Sequence, residues 1–180
     1  MKGAIFNIFE EFIIQKFGVE VYENILQHSQ IETKDPFISA GTYPDTDFYK
    51  LVGTACKLYN LPPEEAQKMF GRFTFVELAK FQPHFVEPYK SAKSFLLTVD
   101  SVIHVEVKKL YPDAYLPKFI YSEPSKNELQ IIYISKRKLY SFMEGLIDGV
   151  ADYFKEDIDV EFDTMLYNGE EACRFHLIFK

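Results

Sequence analysis

The hydrophobic period of this 180-residue sequence changes once, near residue 118, and that change dictates a two-part fold. Upstream, Ile5, Phe9, Phe12, Ile13 and Phe17 recur at helical spacing over 4–17, and Gly18 comes next as a stop. A second helix is predicted over 19–28, then a loop over 29–41 with no period. Pro44-Asp45 opens a third helix carrying Phe48, Leu51, Val52, Ala55 and Leu58. Pro62-Pro63-Glu64-Glu65 opens a fourth, with proline in the first positions and carboxylates in the first turn. Gly71 and Pro83 punctuate the stretch beyond it, and a long helix is predicted from about Ser91 to Leu110, closed by Pro112. Downstream, 119–121 and 129–134 read as short strands joined by a hairpin loop over 122–127. Residues 139–154 return to helix. Residues 158–162 and 172–179 alternate on either side of the turn signal Asn168-Gly169. The expected architecture is α+β, a helical N-terminal body with a small C-terminal antiparallel sheet and one packed helix. With no linker and no internal repeat, one domain over 1–180 is expected.

Charge and motif content exclude several functions. Twenty Lys and Arg against 27 Asp and Glu leave a net charge of −7, which opposes non-specific nucleic-acid binding. No run of about 18 apolar residues exists to span a membrane. Met1 to Asn7 are followed by Glu10 and Glu11 rather than by the apolar core of a signal peptide, so a cytoplasmic protein is expected. Cys56 and Cys173 are too isolated for a zinc site or a disulfide framework. The nucleophile elbow, the P-loop, the dinucleotide fingerprint and the zinc-protease helix are all missing. Asp45-Thr46-Asp47 lacks the rest of a calcium loop. The acidic stretch 148–159 reads as a solvated face. Phe and Tyr make up 17% of the chain, which suits a thick aromatic core or a pocket for a large flat apolar ligand. Composition alone favours the core.

Two constellations can carry chemistry. His104 lies within the 91–110 segment among Val102, Ile103, Val105 and Val107. An imidazole there needs a partner, either a metal or haem iron, or a backbone carbonyl. Asp100 precedes it by four residues and shares its helix face, as a metal pair, a base dyad or a simple hydrogen bond. His28, His84 and His176 fall at helix ends, in a loop and on a terminal strand, where no special role is expected. The second constellation is Tyr133, Ser135 and Arg137, which alternate along an extended segment and so share one side, with Ile132 and Ile134 turned to a core on the other. A phenol, a hydroxyl and a guanidinium together suit one or more carboxylates. A strand end with a surface arginine fits the same pattern.

Taken in order, these features resemble the haem-nitric oxide/oxygen binding (H-NOX) domains, relatives of the haem domain of soluble guanylate cyclase. The resemblance spans the chain. It runs from Met1-Lys2-Gly3 through Phe70-Gly71-Arg72, then His104 with Leu110-Tyr111-Pro112 and Leu116-Pro117. It continues in Tyr133-x-Ser135-x-Arg137 and Gly145-Leu146-Ile147-Asp148-Gly149. It implies a haem b (iron protoporphyrin IX) buried between the helical body and the sheet. His104 would be the proximal iron ligand, and Tyr133, Ser135 and Arg137 would hold the propionates. Pro117 would press on the porphyrin, Phe9, Leu78, Phe142 and Leu146 would line its distal side, and Ile5 would contact the haem. Relatives that bind oxygen stably carry a tyrosine where Phe142 stands. The resemblance therefore implies binding of nitric oxide and carbon monoxide without stable oxygen binding, while Thr74 falls near another distal polar position, where its hydroxyl could donate to oxygen. Tyr140 is only two residues from Phe142 but about 200° around a helix. Tyr140 and Phe142 also stand where some relatives have zinc-binding cysteines, so no structural zinc is expected.

The implied mechanism is a binding switch, not catalysis. Nitric oxide would weaken the iron–histidine bond opposite it and free the His104 helix, shifting the packing of the N-terminal helices against the sheet-bearing part. The signal would pass to a separate partner, a histidine kinase or a cyclic-dinucleotide enzyme. The alternatives are an oxygen-binding haem sensor and a haem-free interaction module whose Tyr-Ser-Arg cluster binds an acidic peptide. An enzyme using His104 and Asp100 has no accompanying nucleophile.

Overall fold

The computed structural model describes residues 1–33 and 36–180. Lys34 and Asp35, inside the loop expected over 29–41, lie outside the described residues. Four helices open the chain: α1 (Gly3–Phe17), α2 (Val19–His28), α3 (Asp45–Tyr59) and α4 (Pro63–Phe81). Gly18 between α1 and α2 takes φ 98°, a conformation that costs glycine little, and Asn60 ends α3 in the left-handed region at φ 49°. The aromatic residues of this half pack ring against ring. Phe6 meets Phe37, Tyr43 and Phe48, and Phe70 meets Phe9, Phe12, Phe48 and Phe142. They form a first core with Ile25 and Leu51.

The sheet has the order β1-β2-β4-β3, from β1 (Lys118–Ser122), β2 (Glu128–Ile134), β3 (Ile158–Tyr167) and β4 (Glu170–Phe179), antiparallel throughout. Asn168 and Gly169 both take positive φ, 52° and 83°, as a two-residue hairpin turn requires. The last helix, α7 (Tyr140–Phe154), contributes Met143, Ile147 and Val150 to a second core with Leu129, Ile131, Phe175 and Leu177 of the sheet. α4 and α7 serve both cores: Phe70 and Phe142 belong to the first, and Phe75 and Met143 to the second.

Four sequence expectations need correction. The 91–110 segment is not one helix. It is α5 (Ala92–Leu96), a π-helical turn over Val99–Ile103, and α6 (His104–Leu110). The amides of Val102 and Ile103 both reach the Thr98 carbonyl, at 2.8 and 3.3 Å, which widens the turn just before His104. Gly71 does not interrupt its helix. It lets α7 approach, because a Cβ there would lie 2.2 Å from the Phe142 carbonyl. Ile132 and Ile134 do not face the core. Leu129, Ile131 and Tyr133 are the buried face of β2, because α7 and the second core cover that side of the sheet. The stretch 148–159 is not simply solvated, since Asp148 pairs with Lys68 and Asp152 with Arg72 across the α4–α7 contact.

Candidate functional site

A cavity of about 970 Å³ lies between the two cores. It is at the upper end of the ~300–1,000 Å³ typical of small-molecule sites. Its walls come from α1, α3, α4, the π-helical turn, α6, the 111–117 segment, β1, the end of β2 and α7. All ten residues singled out from the sequence border it: Ile5, Phe9, Leu78, His104, Pro117, Tyr133, Ser135, Arg137, Phe142 and Leu146. Most of the lining is aliphatic or aromatic, so part of the aromatic content builds the helical core and part lines this space.

His104 is the histidine on this wall. It starts α6 immediately after the π-helical turn, with its ring centroid 5.2 Å from that of Phe119. Burial pushes its pKa below the ordinary imidazole value, and the nearby Asp100 carboxylate only partly opposes this. The ring is thus neutral near pH 7, the form that ligates metals. Nδ1 is buried 3.5 Å from Asp100 Oδ1 and makes no hydrogen bond of ordinary length. The other histidines are elsewhere: His28 Nδ1 meets the Asn24 carbonyl, His84 is exposed beside Phe85, and His176 pairs with Glu128.

A polar rim closes one side. Tyr133 and Ser135 are buried. Burial raises the Tyr133 phenol above its ordinary pKa, opposed by hydrogen bonds to Ser135 and the Leu139 backbone. Ser135 Oγ accepts from the Arg137 amide at 3.2 Å. Arg137 does engage a carboxylate bidentately, but it is one of the chain's own. Nε and Nη2 donate to Asp45 Oδ2 and Oδ1 at 2.6 and 2.9 Å. Nη1 donates to the Tyr115 carbonyl at 2.8 Å, and the guanidinium stands 4.9 Å over the Tyr115 ring. The N-terminal amine donates to Asp45 Oδ1 at 2.7 Å. Burial works against ionisation of Asp45, but Arg137 and the amine outweigh it and hold its pKa below the ordinary aspartate value. Alongside, Lys2 Nζ donates to Thr42 Oγ1 and Asp113 Oδ1, at 2.8 and 3.0 Å, over the Tyr111 ring.

Sequence reasoning missed Asp45, Tyr115 and the N-terminal amine. Asp45 and Arg137 are 92 residues apart, and no spacing rule links them. Thr74, noted as a nearby polar group, is 1% exposed and is not on the cavity wall, and its Oγ1 has no hydrogen-bond partner among the described residues. The Tyr140 hydroxyl turns to Glu171 at 3.0 Å, away from Phe142.

A family model described as haem-NO-binding matches residues 2–162. The chain belongs to this family. An H-NOX protein of S. oneidensis in its Fe(II)NO ligation state superposes with a TM-score of 0.91 at 28% identity, covering 100% of this chain and 99% of that one. Unliganded Fe(II) H-NOX of K. algicida gives 0.90 at 28% identity, covering 100% and 97%. Among curated proteins, soluble guanylate cyclases gcy-34 and gcy-32 of Caenorhabditis elegans are 26% and 24% identical over 99% and 98% of this chain. This chain spans only about a quarter of their length, 28% and 26%. Among the described residues no helix is long and apolar enough to cross a membrane, and no three His, Cys, Asp or Glu side chains converge to hold a metal ion.

The side chains of this H-NOX cavity fit a haem. The walls are mostly apolar, one largely buried histidine is on the lining, and hydroxyl and guanidinium donors cluster at one rim. Three of the five Arg137 N–H groups are spent on Asp45 and Tyr115, which leaves two.

Proposed function

We propose that this chain is a haem-based sensor of nitric oxide, with carbon monoxide as a second ligand, that excludes stable oxygen binding and signals to a separate protein. Haem b, when bound, would supply a ferrous iron that can take a diatomic gas. His104 would hold the iron, and Tyr133, Ser135 and the remaining Arg137 donors would hold the propionates. Pro117 would pack against the porphyrin, Phe9, Leu78, Phe142 and Leu146 would line the gas-binding side, and Ile5 would contact the ring. His104 opens α6 directly behind the π-helical turn, so a change in what His104 holds would pass to α6 and to the packing of the helical body against the sheet. Residues 1–180 act as one binding unit without catalysis or structural zinc, in the cytoplasm. The partner is a histidine kinase or a cyclic-dinucleotide enzyme, with no nucleic acid or membrane involved.

The observation that carries the selectivity is Phe142 on the cavity wall, a ring with no donor, while the hydroxyls of Tyr140 and Thr74 lie off that wall. The test is the visible absorption spectrum of the anaerobically reduced protein, followed by air and then by nitric oxide. A five-coordinate ferrous band unchanged by air and shifted by nitric oxide is expected. A stable oxy spectrum would transfer the function to oxygen. Absence of a haem band after haem is supplied would leave a haem-free interaction module.

A further inference from the structure

Asp100 stands beside His104 but lines no part of the cavity, and three contacts fix its place. Asp100 lies in the π-helical turn over Val99–Ile103, four residues before His104, and its Oδ1 is 3.5 Å from Nδ1 of His104. The same Oδ1 accepts from the Phe119 amide of β1 at 3.1 Å. The Asp100 amide reaches the Tyr121 hydroxyl, also on β1, at 3.4 Å. The carboxylate is therefore anchored to the sheet and aimed at a buried nitrogen that has no hydrogen bond of its own.

Tautomer chemistry gives this placement a consequence. A neutral imidazole that ligates through Nε2 carries its proton on Nδ1. That proton is buried, and a buried donor without a partner is costly. Asp100 Oδ1 is the acceptor the structure sets within reach, and a small ring rotation brings the 3.5 Å separation into hydrogen-bond range. We propose that Asp100 is a positioning residue for His104: its carboxylate takes the Nδ1–H, fixes the tautomer and plane that present Nε2 to the cavity, and ties that imidazole to β1. Carboxylates in this relation to a ligating histidine raise its basicity and orient it. The link also gives a change at His104 a route to the sheet through Phe119, whose strand neighbour is Tyr133.

The inference rests on His104 as the iron ligand, and the test separates the two claims. In His104→Gly, added imidazole can enter the vacated space and ligate the haem. Imidazole carries an N–H for Asp100 to accept, whereas 1-methylimidazole carries none. The ratio of their dissociation constants, read from the ferrous absorption band, is expected to favour imidazole. That preference should shrink about tenfold when Asp100→Ala is added, in line with losses of ~10–100-fold for such partners. Asp100→Asn, which keeps an acceptor oxygen, should retain part of it. A merely structural Asp100 would weaken both ligands alike, so an unchanged ratio overturns the proposal. Failure of imidazole to restore any haem band in His104→Gly would instead overturn the assignment of His104 as the iron ligand. With His104 intact, Asp100→Asn should shift the ferrous iron–histidine stretching vibration to lower frequency in resonance Raman spectra. An unshifted vibration counts against Asp100 even where the double variant does not fold.

Discussion

Phe142 stands on the cavity wall with its ring 5.4 Å from that of Phe70, and neither ring carries a polar hydrogen. Phe142→Tyr would add one hydroxyl to an apolar surface. In air, the reduced variant is expected to hold an oxygen complex that the parent does not, read by its absorption spectrum. At this scale the sequence was informative about which residues face the cavity, since all ten site residues border it. It did not disclose what Arg137 holds. A bidentate arginine was legible from the Tyr-x-Ser-x-Arg spacing, but the choice of Asp45 as its carboxylate depends on how the start of α3 meets the end of β2.

The helices meet through glycine, and there backbone contact outweighs side-chain pattern. A Cβ at Gly145 would lie 2.0 Å from the Lys68 carbonyl, so Gly145→Ala must push α7 off α4. The expected cost is about 1–3 kcal/mol, measured by urea unfolding. Gly53, inside α3, has nothing within 4 Å of a built Cβ. Gly53→Ala should change stability in the opposite sense, by about 0.5–1 kcal/mol, because alanine is the better helix former. Equal effects of the two substitutions would contradict a backbone-limited α4–α7 contact. The sequence read Gly71 as punctuation because a glycine that breaks a helix and one that admits a neighbouring helix look alike in one dimension. It likewise read 91–110 as one helix. Apolar spacing does not register a single widened turn, and the divided acceptance at the Thr98 carbonyl is a matter of backbone geometry.

At the scale of the whole molecule, Asp45 links the two halves, since it binds both the N-terminal amine and Arg137 beyond β2. Its pKa is depressed in the fold, so its contribution is complete above the unfolded value and is lost as pH falls through the folded one. Stability should therefore decline below about pH 4. Asp45→Asn should flatten that part of the pH profile and cost about 1–3 kcal/mol near pH 7, measured by urea unfolding across pH. An acid limb as steep in the variant as in the parent would assign the decline to other carboxylates. The sequence by itself determined the two-part α+β order, the hairpin at Asn168-Gly169, the neutral-imidazole candidate at His104 and the polar triad at 133–137. These arise from local periodicity and residue chemistry, which short stretches of chain express on their own. Tertiary structure alone decided the close α4–α7 contact, the anchoring of Asp100 to β1, the face that β2 buries and the carboxylate that Arg137 holds. Each of these depends on surfaces far apart in the chain packing together, and the free energy of that packing is written in no single segment.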